Sequence, residues 1–492
     1  MITLNRPNLT KSITFQEFIR FLLIPLLIFI LGAAGGYIYF ARTSSSIKQE
    51  KKLQDPYVEF LSEIYDKVME NYWDNITEDQ LSNLYKLAAE KLTGQPQTLK
   101  KKQSSANQKN TNPAPQVPGA STIGLSLNLQ GSSIGDLKLL DQSSDKSSSK
   151  KEVLLEMLKN ILKNMDDKQK KEFSVNTASA VLANLNPFGR SGLYTQKLET
   201  QLKNTVQNIN PDKDLYKDLG LSKGASEQEV KEASRKKEEE LKKENTPGAK
   251  EKLKEVAYAK EVLTQPDRKD RYDQKGIEPT IFTKVIRQGI LYLQFKKFSP
   301  TTYDEFTKAF DPYKDDASLY GLIFDLRGNV GGAIDATPYF IGNFIGKNQY
   351  AFDFFHKGEY QPFKTPTEKL ASIAKYKQIV ILINNQTQSS AEIMASSFKK
   401  YRVGVVLGIP TKGWGTVERV FPLEHQIDPG EKYSIFLVHS ITVRDDNQPI
   451  EGRGVEPDIN IKSQDFDRQL YAYFRNNQIT EAVKSLTTGT SP

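Results

Sequence analysis

The 492-residue chain carries no cysteine, three histidines and a formal net charge of +8. That length has room for about three domains. The lack of cysteine excludes disulfides and thiolate chemistry. His356, His425 and His439 lack the spacing of a histidine-built zinc site, and the positive charge is spread along the chain rather than interleaved with aromatics, so neither a metal, a cofactor nor a nucleic acid is expected.

A short tail, residues 1–20, precedes an uncharged, mostly apolar run from Phe21 to Phe40. About 20 such residues span a hydrocarbon core as a helix. The run exceeds the ~7–15 residues of a secretory h-region, so a membrane anchor is expected at 21–40, and Pro25 is tolerable there. Arg6, Lys11 and Arg20 before it and Arg42, Lys48, Lys51 and Lys52 after it leave the orientation open. Residues 54–94 read as two helices. Val58, Leu61, Ile64 and Val68 form one stripe, Leu81, Leu84 and Leu87 another, with a turn at Tyr72–Asn75. Residues 95–150 are rich in Ser, Gln, Asn and Pro and are expected to be a disordered linker. Helical periodicity resumes from Val153 to Phe173, inside a region running from 151 to 210. Residues 213–276 read as an all-α unit. Ser226 and Glu229 form a capping box, and Leu253, Val256, Ala257 and Val262 face Val230 and Leu241. From 281 to 461 strand-like and helix-like stretches alternate, which predicts an α/β sheet core. Residues 462–492 form a C-terminal helix and tail.

The segment "NNQTQSSAEIMASSFKKYRVGVVLGIPTKGWGTVE", Asn384 to Glu418, closely resembles the active-site segment of the C-terminal-processing (tail-specific) serine peptidases. "IFDLRGNVGGAID" and "GRGVEPDI" resemble two further signatures of that family, and "LANLNPFGRSGLY" resembles the segment closing its helical region. The resemblance implies the family's α/β peptidase core, with Ser389 as nucleophile. The oxyanion donors would come from the helix start at Ser390 and the Gly331–Gly332 turn. It places the family's base lysine at Trp414, and its following glutamine at Glu418. Where the family usually has a PDZ domain, "DLYKDLGLSKGASEQEVKEAS" and "EVLTQPDRKDRYDQKG" resemble a J-domain. That family's His-Pro-Asp loop falls near Lys242, Lys243 and Glu244, and residues 213–276 contain no histidine.

A serine needs a base within hydrogen-bond reach to act as a nucleophile at neutral pH. Trp414 is only a donor. Lys412 lies two residues earlier and shares its face on an extended segment, which makes it the substitute base to consider. Glu418 and His439 stand further from the family pattern. Without the resemblance Ser389 reads simply as a helix N-cap. The expectation is a single-pass membrane protein, extracytoplasmic in a bacterium, acting on protein or peptide substrates through an impaired Ser-Lys dyad. The alternatives are an inactive peptide-binding scaffold and a membrane J-domain co-chaperone with a chaperone partner.

Overall fold

The computed structural model describes residues 55–97, 99, 149–244 and 246–488. The expected tail, anchor and nearly all of the expected linker lie outside the described residues. Among the described residues no helix is long and apolar enough to cross a membrane.

The N-terminal region contains α1 (Pro56–Asn71), α2 (Glu78–Thr93), α3 (Lys150–Leu162) and α4 (Asp167–Ala183). Val58, Leu61, Ile64 and Val68 are buried together, as their spacing predicts. On α2 the buried face is Leu81, Tyr85, Ala88 and Ala89, whereas Leu87 is 48% exposed. The helical period puts positions i, i+4 and i+7 on one side, and the polar gap at Lys86 hid this in the leucine count. The stretch from Val153 to Phe173 is two helices rather than one. Asp166 caps α4, exchanging hydrogen bonds with Gln169, and such a cap begins a new helix. The Tyr72–Asn75 turn fastens the helices to the sheet behind them: Trp73 donates its N–H to the Val438 carbonyl (3.1 Å), and its own carbonyl accepts from Lys357 N–H (2.7 Å).

After β1 (Gly192–Thr195) and α5 (Gln196–Gln207) come α6 (Leu215–Leu219), α7 (Glu227–Glu244), α8 (Pro247–Leu263) and α9 (Pro266–Lys275). Leu215, Tyr216, Leu219, Val230, Val256, Ala259, Val262 and Leu263 form their own core. Ser226 and Glu229 make the expected capping box. Ala257 faces solvent, because the buried stripe of α8 runs through Val256, Ala259 and Leu263 instead. Glu305, 8% exposed, latches this unit to the next. It accepts from Thr280 N–H (2.6 Å), Ile281 N–H (3.2 Å), Thr301 Oγ1 (2.8 Å) and Arg271 Nη1 (3.3 Å).

The remaining elements are β2 (Ile281–Arg287), β3 (Ile290–Phe295), α10 (Thr302–Lys308), β4 (Gly321–Asp325), α11 (Thr337–Ile345), β5 (Tyr350–His356) and β6 (Glu359–Lys364), followed by α12 (Ala371–Ala374), β7 (Gln378–Ile383), α13 (Ser390–Lys400), β8 (Val405–Gly408), β9 (Thr416–Pro422), β10 (Tyr433–Val443), β11 (Ile459–Asn460), α14 (Phe466–Phe474) and α15 (Asn477–Thr488). One sheet has the order β11-β8-β7-β4-β3-β2 and is parallel except for β2 on β3. Its central strands β4 and β7 are almost wholly buried, as strands covered on both faces must be. Phe295, Phe306, Phe324, Phe340 and Phe398 pack one face, with edge-to-face pairs such as Phe306–Phe340 at 5.4 Å. Leu470, Ile479 and Val483 of α14 and α15 pack the other. The second sheet is antiparallel, with order β1-β10-β5-β6 and β9 on the far edge of β10. Because Asp325 of β4 is registered against Leu382 of β7, the turns after both strands emerge side by side at the carboxyl end of the sheet. That end is where open α/β sheets place their ligands.

Two outcomes follow. Glu305→Ala leaves buried donors unsatisfied and should lower unfolding stability by about 3 kcal/mol, with limited proteolysis cutting first between residues 276 and 281. His439 stacks on His356 (centroids 4.4 Å apart). Burial, then Arg419, His356 and Lys357, push its pKa from 6.5 down to about 4. A base depressed by folding stabilises the fold above its unfolded pKa and withdraws that contribution as pH falls. Stability should therefore decline from pH 6.5 toward about 4, and His439→Asn should flatten that decline in denaturant titrations.

Candidate active site

Ser389 sits in the turn between β7 and α13 with φ 57° and ψ −126°. An L residue with side chain rarely adopts that conformation, which costs about 1–3 kcal/mol and is typical of functional turns. Ser389 is thus the N-cap residue of α13, and an unusual one. Its N–H donates to the Glu392 carboxylate at 2.8 Å, and its carbonyl accepts from Glu392 N–H at 2.7 Å. Ser389 is half-buried, and its hydroxyl donates to no group among the described residues.

The Gly331–Gly332 turn lies against Ser389. A Cβ on Gly331 would stand 2.6 Å from Ser389 Cβ, so only glycine permits the approach. Gly332 (φ 136°) has Phe298 O where its Cβ would be. Ser390, fully buried, donates its hydroxyl to Gly332 O at 3.2 Å. Gly331 N–H is committed to Asn329 Oδ1 (2.9 Å). The N–H groups of Gly332 and Ser390 donate to no acceptor among the described residues.

Glu392 joins this turn to the 411–414 loop. It is 0% exposed. Oε2 accepts from both Ser389 N–H and Trp414 N–H (2.8 Å each), and Oε1 from Gly413 N–H (2.7 Å) and Thr411 Oγ1 (2.5 Å). Burial pushes its pKa above the ordinary carboxylate range, although all four donors oppose that. In the sequence Glu392 serves only to align the motif. Its role as the common acceptor of two loops becomes visible in three dimensions alone.

The structure brings the Trp414 backbone beside that of Ser389, since both donate to one oxygen. The indole is fixed from two sides. Nε1–H donates to Glu418 Oε1 at 3.1 Å, and the Arg190 guanidinium lies 3.6 Å from the ring centroid. Arg190 is itself held by Glu451 (3.0 Å), whose other oxygen accepts from Gly415 N–H (2.7 Å). Burial raises the pKa of Glu418, against hydrogen bonds from Thr416 and Trp414. Lys412 is exposed. Its N–H donates to Thr387 O (2.9 Å), and its ammonium makes no hydrogen bond or ion pair among the described residues. His439 meets Ser440 Oγ through Nδ1 (2.9 Å). Neither Lys412, Glu418 nor His439 hydrogen-bonds to Ser389. Among the described residues no cluster suited to a metal ion occurs.

Residues 289–461 match Peptidase family S41, and residues 214–273 match the DnaJ domain. The carboxy-terminal processing protease CtpA of Bacillus subtilis is 28% identical over 193 residues, 39% of this chain and 39% of that protein. The carboxy-terminal-processing protease of Bartonella bacilliformis is 26% identical over 195 residues, 38% of this chain and 43% of that protein. The photosystem II D1 C-terminal processing protease superposes with a TM-score of 0.33 at 19% identity, over 38% of this chain and 50% of that one. The chain thus carries a family S41 peptidase domain preceded by a DnaJ domain, and it spans about two fifths of the length of the curated relatives named.

Glu392→Gln should destabilise the site, because the amide presents a donor to backbone N–H groups. We expect a loss of about 2 kcal/mol and faster proteolysis at the 411–414 loop, measured by denaturant unfolding and timed digestion.

Proposed function

We propose that this chain is a serine peptidase of the carboxy-terminal-processing type that has kept its nucleophile position and lost its base. It would engage protein chains at Ser389 and hydrolyse them slowly or not at all. One observation carries the reading: at the position where the resemblance puts the base stands an indole, Trp414, held between Arg190 and Glu418. Acyl transfer requires that the Ser389 proton leave as Oγ attacks the carbonyl carbon. Indole N–H cannot take it. The uncommitted N–H groups of Gly332 and Ser390 are the oxyanion donors in this reading, with Gly331 giving the close approach. Lys412 is kept as the substitute base to be tested, since its ammonium has no competing partner among the described residues. In the limit of no turnover the protein is a peptide-binding scaffold. We further propose that residues 21–40 anchor it in a membrane, with the bulk of the chain extracytoplasmic, on the strength of their length and composition. The J-like unit would not stimulate a chaperone ATPase, because Lys242, Lys243 and Glu244 occupy the last turn of α7 where the His-Pro-Asp loop is expected.

Peptide hydrolysis tests this directly. A general base is worth about 10²–10⁴-fold, so Trp414→Lys should raise activity above the unmodified protein. The buried Glu418 would hold that lysine protonated, and the double variant Trp414→Lys, Glu418→Gln should therefore exceed the single one. Ser389→Ala should abolish activity in every background. Fast cleavage by the unmodified protein that Lys412→Ala removes would contradict the reading and make Lys412 the base.

A further inference from the structure

A cavity of about 630 Å³, whose lining does not include Ser389, lies where three parts of the chain meet. The end of α5 and the following link contribute Asn204, Asn208 and Lys213. The J-like unit contributes Tyr258, and the peptidase domain Lys296 and Lys297 just after β3. Lys213 and Lys296 both sit over the Tyr258 ring, each ammonium 4.5 Å from its centroid. Lys296 also lies 4.3 Å from the Phe282 ring. None of the three ammonium groups makes an ion pair or a side-chain hydrogen bond among the described residues. Two carboxylates, Glu278 and Asp212, share the wall with the three lysines, and Glu261 lies nearby. Glu278 accepts from the Tyr258 hydroxyl, Glu261 pairs with Arg268 at 2.9 Å, and Asp212 is an exposed residue of the wall.

Three like charges without direct partners in one cleft repel each other and await an anion. Aromatic faces hold ammonium groups in place, but they do not neutralise them. Burial lowers the pKa of both Lys296 and Lys297, and the charge of Glu278 offsets this only in part. Asn204 lines the same wall and carries an amide donor, while the amide of Asn208 donates to the Glu278 carbonyl (2.8 Å). We infer that this cavity is a binding site for a phosphate group, free or carried by a small molecule, held by Lys213, Lys296 and Lys297. A dianion can meet several ammonium groups at once, and lysine serves phosphate as a point charge. Because the walls come from both the J-like unit and the peptidase domain, an occupant also ties the two together.

The test is calorimetric titration of the full chain with sodium phosphate, and in a second arm glycerol phosphate, at fixed ionic strength. Saturable one-site binding is expected, weakened by about ten-fold in Lys296→Gln through loss of a charge-assisted contact, and unchanged in the exposed control Lys236→Gln. Tighter binding of the ester would show that the ligand extends along the cleft; tighter binding of free phosphate would make the ion itself the ligand. At alkaline pH binding should take up protons, because the anion raises lysine pKa values, and buffers of different ionisation enthalpy read that uptake. Thermal unfolding confirms that Lys296→Gln is folded. No saturable binding by the unmodified chain, or binding that Lys296→Gln and Lys297→Gln leave intact, would overturn the inference.

Discussion

Two loops at either end of the α13–β8 unit converge on a single buried carboxylate. Glu392 accepts hydrogen bonds from the Ser389 turn through one oxygen and from the 411–414 loop through both. Removing a carboxylate from water is costly, and the cost is offset only where donors surround it. That requirement fixes where the loops lie. It also holds Ser389 in a conformation an isolated serine would avoid, with its side chain against the glycine turn after β4. The rest of the fold serves this convergence. The parallel sheet delivers β4 and β7 in register, the phenylalanine layer makes their spacing rigid, and the antiparallel sheet supplies Glu418 on β9 beside the indole.

In the proposed reading, the place of the family's lysine is filled by a larger and differently bonded group. A lysine base must be neutral, which calls for burial or a nearby positive charge. Here Arg190 supplies a positive charge over the indole face, with Glu451 anchoring it, but the carboxylate of Glu418 accepts from the indole and would oppose a neutral amine. Trp414, Arg190, Glu418 and Glu451 satisfy one another. Exchanging Trp414 alone would leave a new cation between a buried carboxylate and a fixed guanidinium, so the residues of this group are energetically coupled.

Much of this was legible in the sequence. The strands β3, β4, β7, β8 and β10 announce themselves as Val- and Ile-rich runs, and the motif around Ser389 marks the turn that the structure places beside Gly331. The J-like unit was readable from its capping box and its terminal signature. What escaped has physical reasons. β6 is an exposed edge strand containing Pro362, with no alternation to detect. Leu84 and Leu87 suggested a stripe that Tyr85 and Ala88 occupy. Arg190 lies far from Trp414 in the chain, and a stacking contact between such positions leaves no local pattern. Glu392 was visible as a letter in a motif, while its four donors come from both ends of a separation that only folding closes.

The central claim, a nucleophile position without a base, is tested most directly by the rate at which a fluorophosphonate labels Ser389, followed by intact mass as a function of pH. A serine lacking a base reacts only as bulk hydroxide removes its proton, so the account predicts slow labelling whose rate keeps rising with pH through the neutral range. Rapid labelling that levels off near neutral pH would reveal a titrating side chain in contact with Ser389 and would contradict the account.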